Sequence, residues 1–133
     1  MGSPARHRRR YQTTAADRAL FVSLWPRCFA PAHSNAPKWP LKRDIHLDII
    51  AAAPLDPASG EPLSKSRIQR ALGSYTAGPR YAQALATNRD RLDLEGFPVG
   101  TVSAVIRSAA RAKVKAFNRQ NKERAAAEEL EAA

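Results

Sequence analysis

The sequence predicts a mainly α fold of the α+β class, with about five helices and one small β-hairpin in a single domain. Three observations predict it. Apolar residues recur every three to four positions through most of the chain, the spacing of a helix face. Prolines cluster between those stretches and punctuate them. Only at Arg91-Leu92-Asp93-Leu94 does the pattern change to the alternation of a half-buried strand.

The elements follow in order. Residues 1–13 read as an unfolded basic arm, because Arg6, His7, Arg8, Arg9 and Arg10 form a like-charge block that repels itself. Such an arm either grips phosphates or is a solvated terminus. Thr14 to Phe29 reads as the first helix and its exit. Thr14 and Asp17 have capping-box spacing, and Leu20, Phe21, Leu24 and Trp25 make its apolar stripe. Pro26 disfavours helix at Trp25. Ala30 to Pro40, with three prolines, is a loop carrying Trp39. Leu41 to Ala53 reads as the second helix on the spacing of Leu41, Ile45 and Ile49, and Pro54 ends it. Residues 54–62 form a turn-rich loop.

Ser64 is a good N-cap for a third helix to Thr76, with Ile68, Leu72 and Tyr75 on one side. Gly78-Pro79 breaks that helix and starts a short fourth one through Ala86. After the strand at 91–94, Glu95-Gly96 supplies a turn and Phe97-Pro98-Val99 a return strand. Thr101 to about Arg119 is the last helix, packing through Val102, Ile106, Ala109, Ala110 and Val114 or Phe117. The folded domain therefore spans 14–119. Residues 120–133 either extend the last helix into solvent or fray.

Composition bounds the function. The chain has 133 residues, 44% apolar and 26% charged, which fits a soluble folded domain with a modest core. No apolar run approaches the ~18–20 residues of a membrane span. No apolar segment follows the basic start, so no secretory signal is visible. The lone Cys28 suits a reducing cytoplasm, and the expected location is cytoplasmic. The formal net charge is +10, which makes polyanions the first partners to consider. That charge is uneven: residues 1–122 carry +13, and the tail from Glu123 carries −3. Arg supplies 16 of the 22 cations, and its planar fork suits phosphates and base stacking.

Catalytic constellations are lacking. His7, His33 and His46 are scattered, and Cys28 has no second cysteine for a zinc site. Cys28 between Arg27 and Phe29 reads as a buried structural thiol rather than a reactive one. Asp44 and Asp48, at i,i+4, read as a wet helix face rather than a metal pair. The cations are better organised. Arg107, Arg111, Lys115 and Arg119 recur every four residues and make a stripe roughly 18 Å long on the last helix. Such a stripe either follows a phosphate backbone or is a solvated face. The run Ser64-Lys65-Ser66-Arg67 at a helix start resembles a DNA-reading helix, but the connection before it is far longer than a helix-turn-helix allows. A generic DNA-binding protein is the alternative reading.

Several segments, taken in order, resemble the ProQ/FinO family of bacterial RNA chaperones over about Leu20 to Lys115. They are Trp25-Pro26-Arg27-Cys28-Phe29, Pro40-Leu41-Lys42, Leu63-Ser64-Lys65 with Ala71-Leu72 and Tyr75-Thr76, Arg80-Tyr81, and Arg91-Leu92-Asp93-Leu94-Glu95-Gly96 with Pro98. The resemblance implies RNA binding without catalysis, and the chain is expected to be a monomer that needs no cofactor. Its substrate would be an intrinsic-terminator hairpin with a single-stranded U-rich 3′ tail, and its role would be to stabilise small RNAs or mRNA 3′ ends and assist antisense pairing. It implies that the 3′ end enters a pocket at the start of the third helix, where Ser64 and its successors present backbone N–H groups. It implies that Lys42 and Lys65 bind phosphates, Tyr81 lines the pocket, Arg91 holds the terminal nucleotide, and Arg80 lies on or near a basic surface. Arg107, Arg111 and Lys115 would add affinity for A-form phosphates. Gln69 and Gly73 stand where the family commonly has cations, with Arg67 and Arg70 as neighbouring substitutes.

Overall fold

The structure, a computed structural model, describes residues 4–132. Among these residues the order is α1 (Pro4–Leu24), α2 (Ile45–Ala52), α3 (Lys65–Thr76), α4 (Pro79–Thr87), β1 (Asp90–Leu92), β2 (Pro98–Thr101) and α5 (Ala104–Ala132). The class is the predicted one: five helices and one antiparallel hairpin.

The basic arm is a correction. Residues 4–13 form the first turns of α1, and residues 1–3 lie outside the described residues. Pro4 suits a first helical position, and Arg, Ala and Gln are strong helix formers. Like-charge pairs on a helix cost only a few tenths of a kcal/mol each, about 0.2–0.5, so propensity prevails. Thr14 consequently sits mid-helix, and its hydroxyl donates to the Arg10 carbonyl (2.8 Å) instead of capping. Asp17 turns into the protein and is buried. The helix stops at Leu24, as Pro26 requires. The N–H groups of Cys28 and Phe29 then both donate to the Trp25 carbonyl, folding a tight exit.

The second helix starts at Ile45, four residues later than its apolar spacing suggests. Leu41 is claimed by the sheet edge, where it bridges Leu92 in parallel. The Leu92 N–H donates to the Pro40 carbonyl (2.9 Å) and the Lys42 N–H to the Leu92 carbonyl (2.8 Å). Ser64 caps α3 as expected, its hydroxyl accepting from the Arg67 N–H at 3.2 Å. In the hairpin, Arg91 pairs with Gly100, and the Asp93 carboxylate accepts from the N–H groups of Glu95 and Phe97. Gly96 has φ +84°, and a Cβ there would meet the Arg27 Cβ at 2.6 Å. This close approach seats the hairpin turn on the exit of α1. The last helix begins at Ala104 because the Ser103 hydroxyl accepts from the Ile106 N–H, and it runs to Ala132.

α1 packs on α3, α4 packs on α5, and α2 lies against α3. The core between them holds Phe21, Phe29, Ile49, Ile68 and Tyr75. Its aromatic rings form a chain: Phe21 to Phe29 at 5.5 Å, Phe29 to Tyr75 at 5.1 Å edge-on, and Tyr75 to Tyr81 at 6.2 Å. Such pairs add about 0.5–1.5 kcal/mol each beyond area burial. The chain leads from α1 to the back of the candidate site.

Candidate nucleic-acid interface

The bridge between Leu41 and Leu92 brings the segments of Lys42 and Arg91 together. The two flank a cavity of about 220 Å³ that is also lined by His46, Gly73, Thr76 and Tyr81. Three predicted residues, Lys42, Tyr81 and Arg91, therefore meet in one place. Arg91 donates through Nη1 to the Leu41 carbonyl (2.9 Å), and its buried Nε has no partner. The Tyr81 hydroxyl accepts from the Leu41 N–H (3.0 Å). Burial pushes the Tyr81 phenol up, while the Leu41 N–H and Arg91 pull the other way. Its ring is only 8% exposed and packs on Tyr75. Tyr81 thus lines the pocket but is too buried to offer a base a broad stacking face.

Lys42 is held by Asp48, with Nζ 2.8 Å from Oδ2, and that bond raises the pKa of the amine. The same pair gives Asp48 a partner: it anchors a lysine. Among the described residues, no group of three His, Cys, Asp or Glu stands close enough to hold a metal.

This cavity lies away from the start of α3, where the resemblance implies a pocket. Ser64 and Lys65 precede Gly73 by nine and eight residues, roughly 12–14 Å along the helix. Lys65, Gln69, Gly73 and Thr76 nevertheless share one face of α3, because successive spacings of four and three return to the same side. Lys65, Gln69 and Gly73 are exposed, so this face is a strip leading from the helix start to the pocket. A Cβ at Gly73 would meet nothing within 4 Å. The strip therefore ends on bare backbone at Gly73, a position where the resemblance implies a cation.

Arg67 does not replace that cation. Its guanidinium grips both oxygens of buried Asp17 (3.0 and 2.7 Å) and reaches Asp56 at 2.8 Å. These carboxylates push its pKa upward and tie α1, α3 and the 54–62 loop together. The pairing spans fifty positions and left no local signal. Arg80 also stands apart from the pocket, its guanidinium donating to the Ala36 carbonyl. Beside it lies a buried lysine that the sequence reading missed: Lys38 donates to the Tyr75 carbonyl at 2.7 Å. Burial, then Arg18 and Arg80, pull its pKa down to about 8.

The α5 stripe divides. Arg107 is half-buried, with Nη2 on the Val102 carbonyl at 3.3 Å and an unpartnered Nε. Arg111 and Lys115 are exposed. Cys28 is buried, and burial followed by Asp93 and Glu95 pushes its thiol up to about 12, which suits a packing role. Residues 53–64 separate α2 from α3, so the two helices are not a helix-turn-helix.

The model of the ProQ/FINO family matches residues 13–128. The chain belongs to the ProQ/FinO family. Two solved structures share the fold of this ProQ/FinO protein. One is the crystal structure of NMB1681 from Neisseria meningitidis MC58, described as a FinO-like RNA chaperone, with a TM-score of 0.58 and 24% identity over 77% of this chain and 74% of that one. The other is the solution structure of a ProQ homolog from Legionella pneumophila, with a TM-score of 0.59 and 24% identity over 77% of this chain and 80% of that one. No curated protein matches. Among the described residues, no helix of this ProQ/FinO chain is long and apolar enough to cross a membrane.

Proposed function

We propose that this ProQ/FinO chain is a non-catalytic RNA-binding chaperone for hairpins that carry a single-stranded 3′ tail. The observation that carries the reading is the meeting of Lys42, His46, Tyr81 and Arg91 around one cavity at the end of an exposed α3 strip. A terminal nucleotide sits in the cavity with its phosphate on Arg91 and Lys42. The preceding nucleotides run along Gln69 and Lys65, where Gly73 lets the strand lie close to the helix. The duplex lies against cations such as Arg111 and Lys115, read by shape and phosphate contacts as A-form helices are. Binding of this kind stabilises small RNAs or mRNA 3′ ends of the intrinsic-terminator type, with U-rich tails, and assists antisense pairing. Family membership and the fold shared with a FinO-like RNA chaperone support this reading.

The test is a binding series with an intact hairpin, the same hairpin with a 3′ phosphate, a tail-less hairpin, and duplex DNA of equal length. The intact hairpin binds best, and the 3′ phosphate weakens it about tenfold. Equal affinity across the three RNAs removes the 3′-end assignment. Preference for the DNA removes the RNA reading altogether.

A further inference from the structure

A second cavity, about 350 Å³, opens on the other side of α3. Tyr11, Ala15, Arg18 and Ala19 of α1 form one wall, and Pro31 and His33 of the following loop form another. Ser74 closes the back. Ser74 points away from the side of α3 that carries Gly73 and Thr76, so this cavity is separate from the 3′-end pocket. Its volume lies within the range of small-molecule sites, about 300–1,000 Å³.

Three features describe its ligand. The walls are mostly alanine methyls with Val22 and a proline ring, small apolar groups that suit contact with a flat group. Tyr11 at the rim is 71% exposed, a large aromatic face that nothing covers. The lining carries one arginine, Arg18, whose guanidinium lies 5.6 Å over the Tyr75 ring; Lys38, 4.3 Å from the same ring, stands outside the lining. None of the three ion pairs among the described residues involves Arg18, Lys38 or Arg80. Arg18 makes one hydrogen bond, to the Ser74 hydroxyl at 3.1 Å, and its buried Nε has no partner. An arginine so placed lacks acceptors that an anion supplies. One turn before Tyr11 on the same helix face, Arg8 is exposed. A flat group flanked by anions is what a nucleotide within a single strand presents.

We propose that this cavity takes one unpaired base of the bound RNA, stacked against Tyr11, with the adjoining phosphates on Arg18 and Arg8; the inference rests on the RNA-binding reading above. It gives the N-terminal half of α1 a place in recognition that the 3′-end pocket does not need.

The test uses an RNA hairpin with 4-thiouridine in its loop and both single-stranded flanks. Two variants address the cavity without touching the core. Ala19→Phe fills the slot from an exposed helix position, and Tyr11→Ala removes the platform. Light should crosslink the wild-type chain within residues 11–33. Ala19→Phe abolishes those crosslinks and weakens binding about fivefold or more, and Tyr11→Ala weakens it by a similar factor, as loss of one stacked base does. A 3′ phosphate then weakens both variants by the same factor as the wild type, because separate contacts add. If Ala19→Phe does not fold, judged by circular dichroism, Tyr11→Ala decides. Unchanged affinity in the variants, with wild-type crosslinks confined to residues 42–91, overturns the cavity proposal and leaves the RNA reading standing. A wild-type chain that binds no RNA overturns both.

Discussion

The two ends of α3 treat their cations in opposite ways. At the start, Arg67 is closed between Asp17 and Asp56, and its charge is neutralised by carboxylates. Toward the end, Arg91 and Lys38 are held by the backbone carbonyls of Leu41 and Tyr75. A carbonyl orients a cation without cancelling its charge. The first end is therefore a fastening, and at the second Arg91 and Lys38 form none of the ion pairs seen among the described residues. Lys42 stands between the two cases, bonded to Asp48 but half-buried at the mouth of the pocket. On the proposed function, the acceptor separates an arginine that fastens the fold from one left to meet RNA.

The largest expected effect breaks the fastening. Asp17→Ala removes the carboxylate that is 4% exposed and leaves Arg67 with Asp56 alone. Removing one partner of a buried pair costs about 3–5 kcal/mol. Arg67 retains some solvent access and a second carboxylate, so about 2–3 kcal/mol is expected by urea denaturation. RNA affinity of the folded fraction should not change. A variant of full stability that loses RNA binding would reverse the division between the two ends.

Next comes the joint that holds the hairpin. Gly96→Ala forces a Cβ against Arg27 in a backbone that already has φ +84°. The close approach and the left-handed conformation together predict a loss of about 2 kcal/mol. The measurement is again denaturation. A neutral result would mean that the hairpin turn and the exit of α1 move apart at no cost, and that the fastening at Arg67 is the one constraint that matters.

At the ligand end, Arg91→Ala should weaken hairpin RNA about tenfold, roughly 1.4 kcal/mol, with a smaller effect on stability because one carbonyl contact is lost. Arg67→Gln is its counterpart and should lower stability while leaving the affinity of folded protein alone. Filter binding and thermal melting of both variants test the pairing. If Arg67→Gln loses more affinity than Arg91→Ala, the carbonyl-held arginine is not the one that meets RNA.

Much of this comparison was legible in the sequence, and the rest was hidden for physical reasons. Ser64 as a cap, Gly78-Pro79 as a break and the alternation at 91–94 are local signals, and local physics settled them. Leu41 repeats with Ile45 and Ile49 as a helix residue does, yet Leu92, far along the chain, captured it in a strand bridge. The arginine block at 6–10 looked extended because its repulsion is conspicuous, while the helix propensity that outweighs it is diffuse. Lys42, Tyr81 and Arg91 came as site residues from a family resemblance, and no spacing pointed to them. Lys38 drew no expectation at all, because nothing in Pro37-Lys38-Trp39-Pro40 announces the carbonyl of Tyr75 that accepts from it.

The smallest effect is also the sharpest test of a carbonyl-held charge. Lys38 has its pKa lowered to about 8, from about 10.4 in an unfolded chain. Between those values the unfolded chain holds a proton that the folded one has released, so stability rises as pH climbs through 8. Below pH 8 both states are protonated and the penalty of the buried charge is fully present. Lys42 has the opposite shift, since a carboxylate holds its proton. Cys28 works against Lys38 at higher pH: its unfolded thiol ionises from about 9 while the folded thiol, pushed up to about 12, does not. The useful window is therefore pH 7 to 9. Across it, the wild type should gain about 1 kcal/mol relative to Lys38→Met, read by urea denaturation at each pH. Parallel curves for the two chains would mean that the Lys38 charge is compensated after all, and that the second end of α3 is no more electropositive than the first.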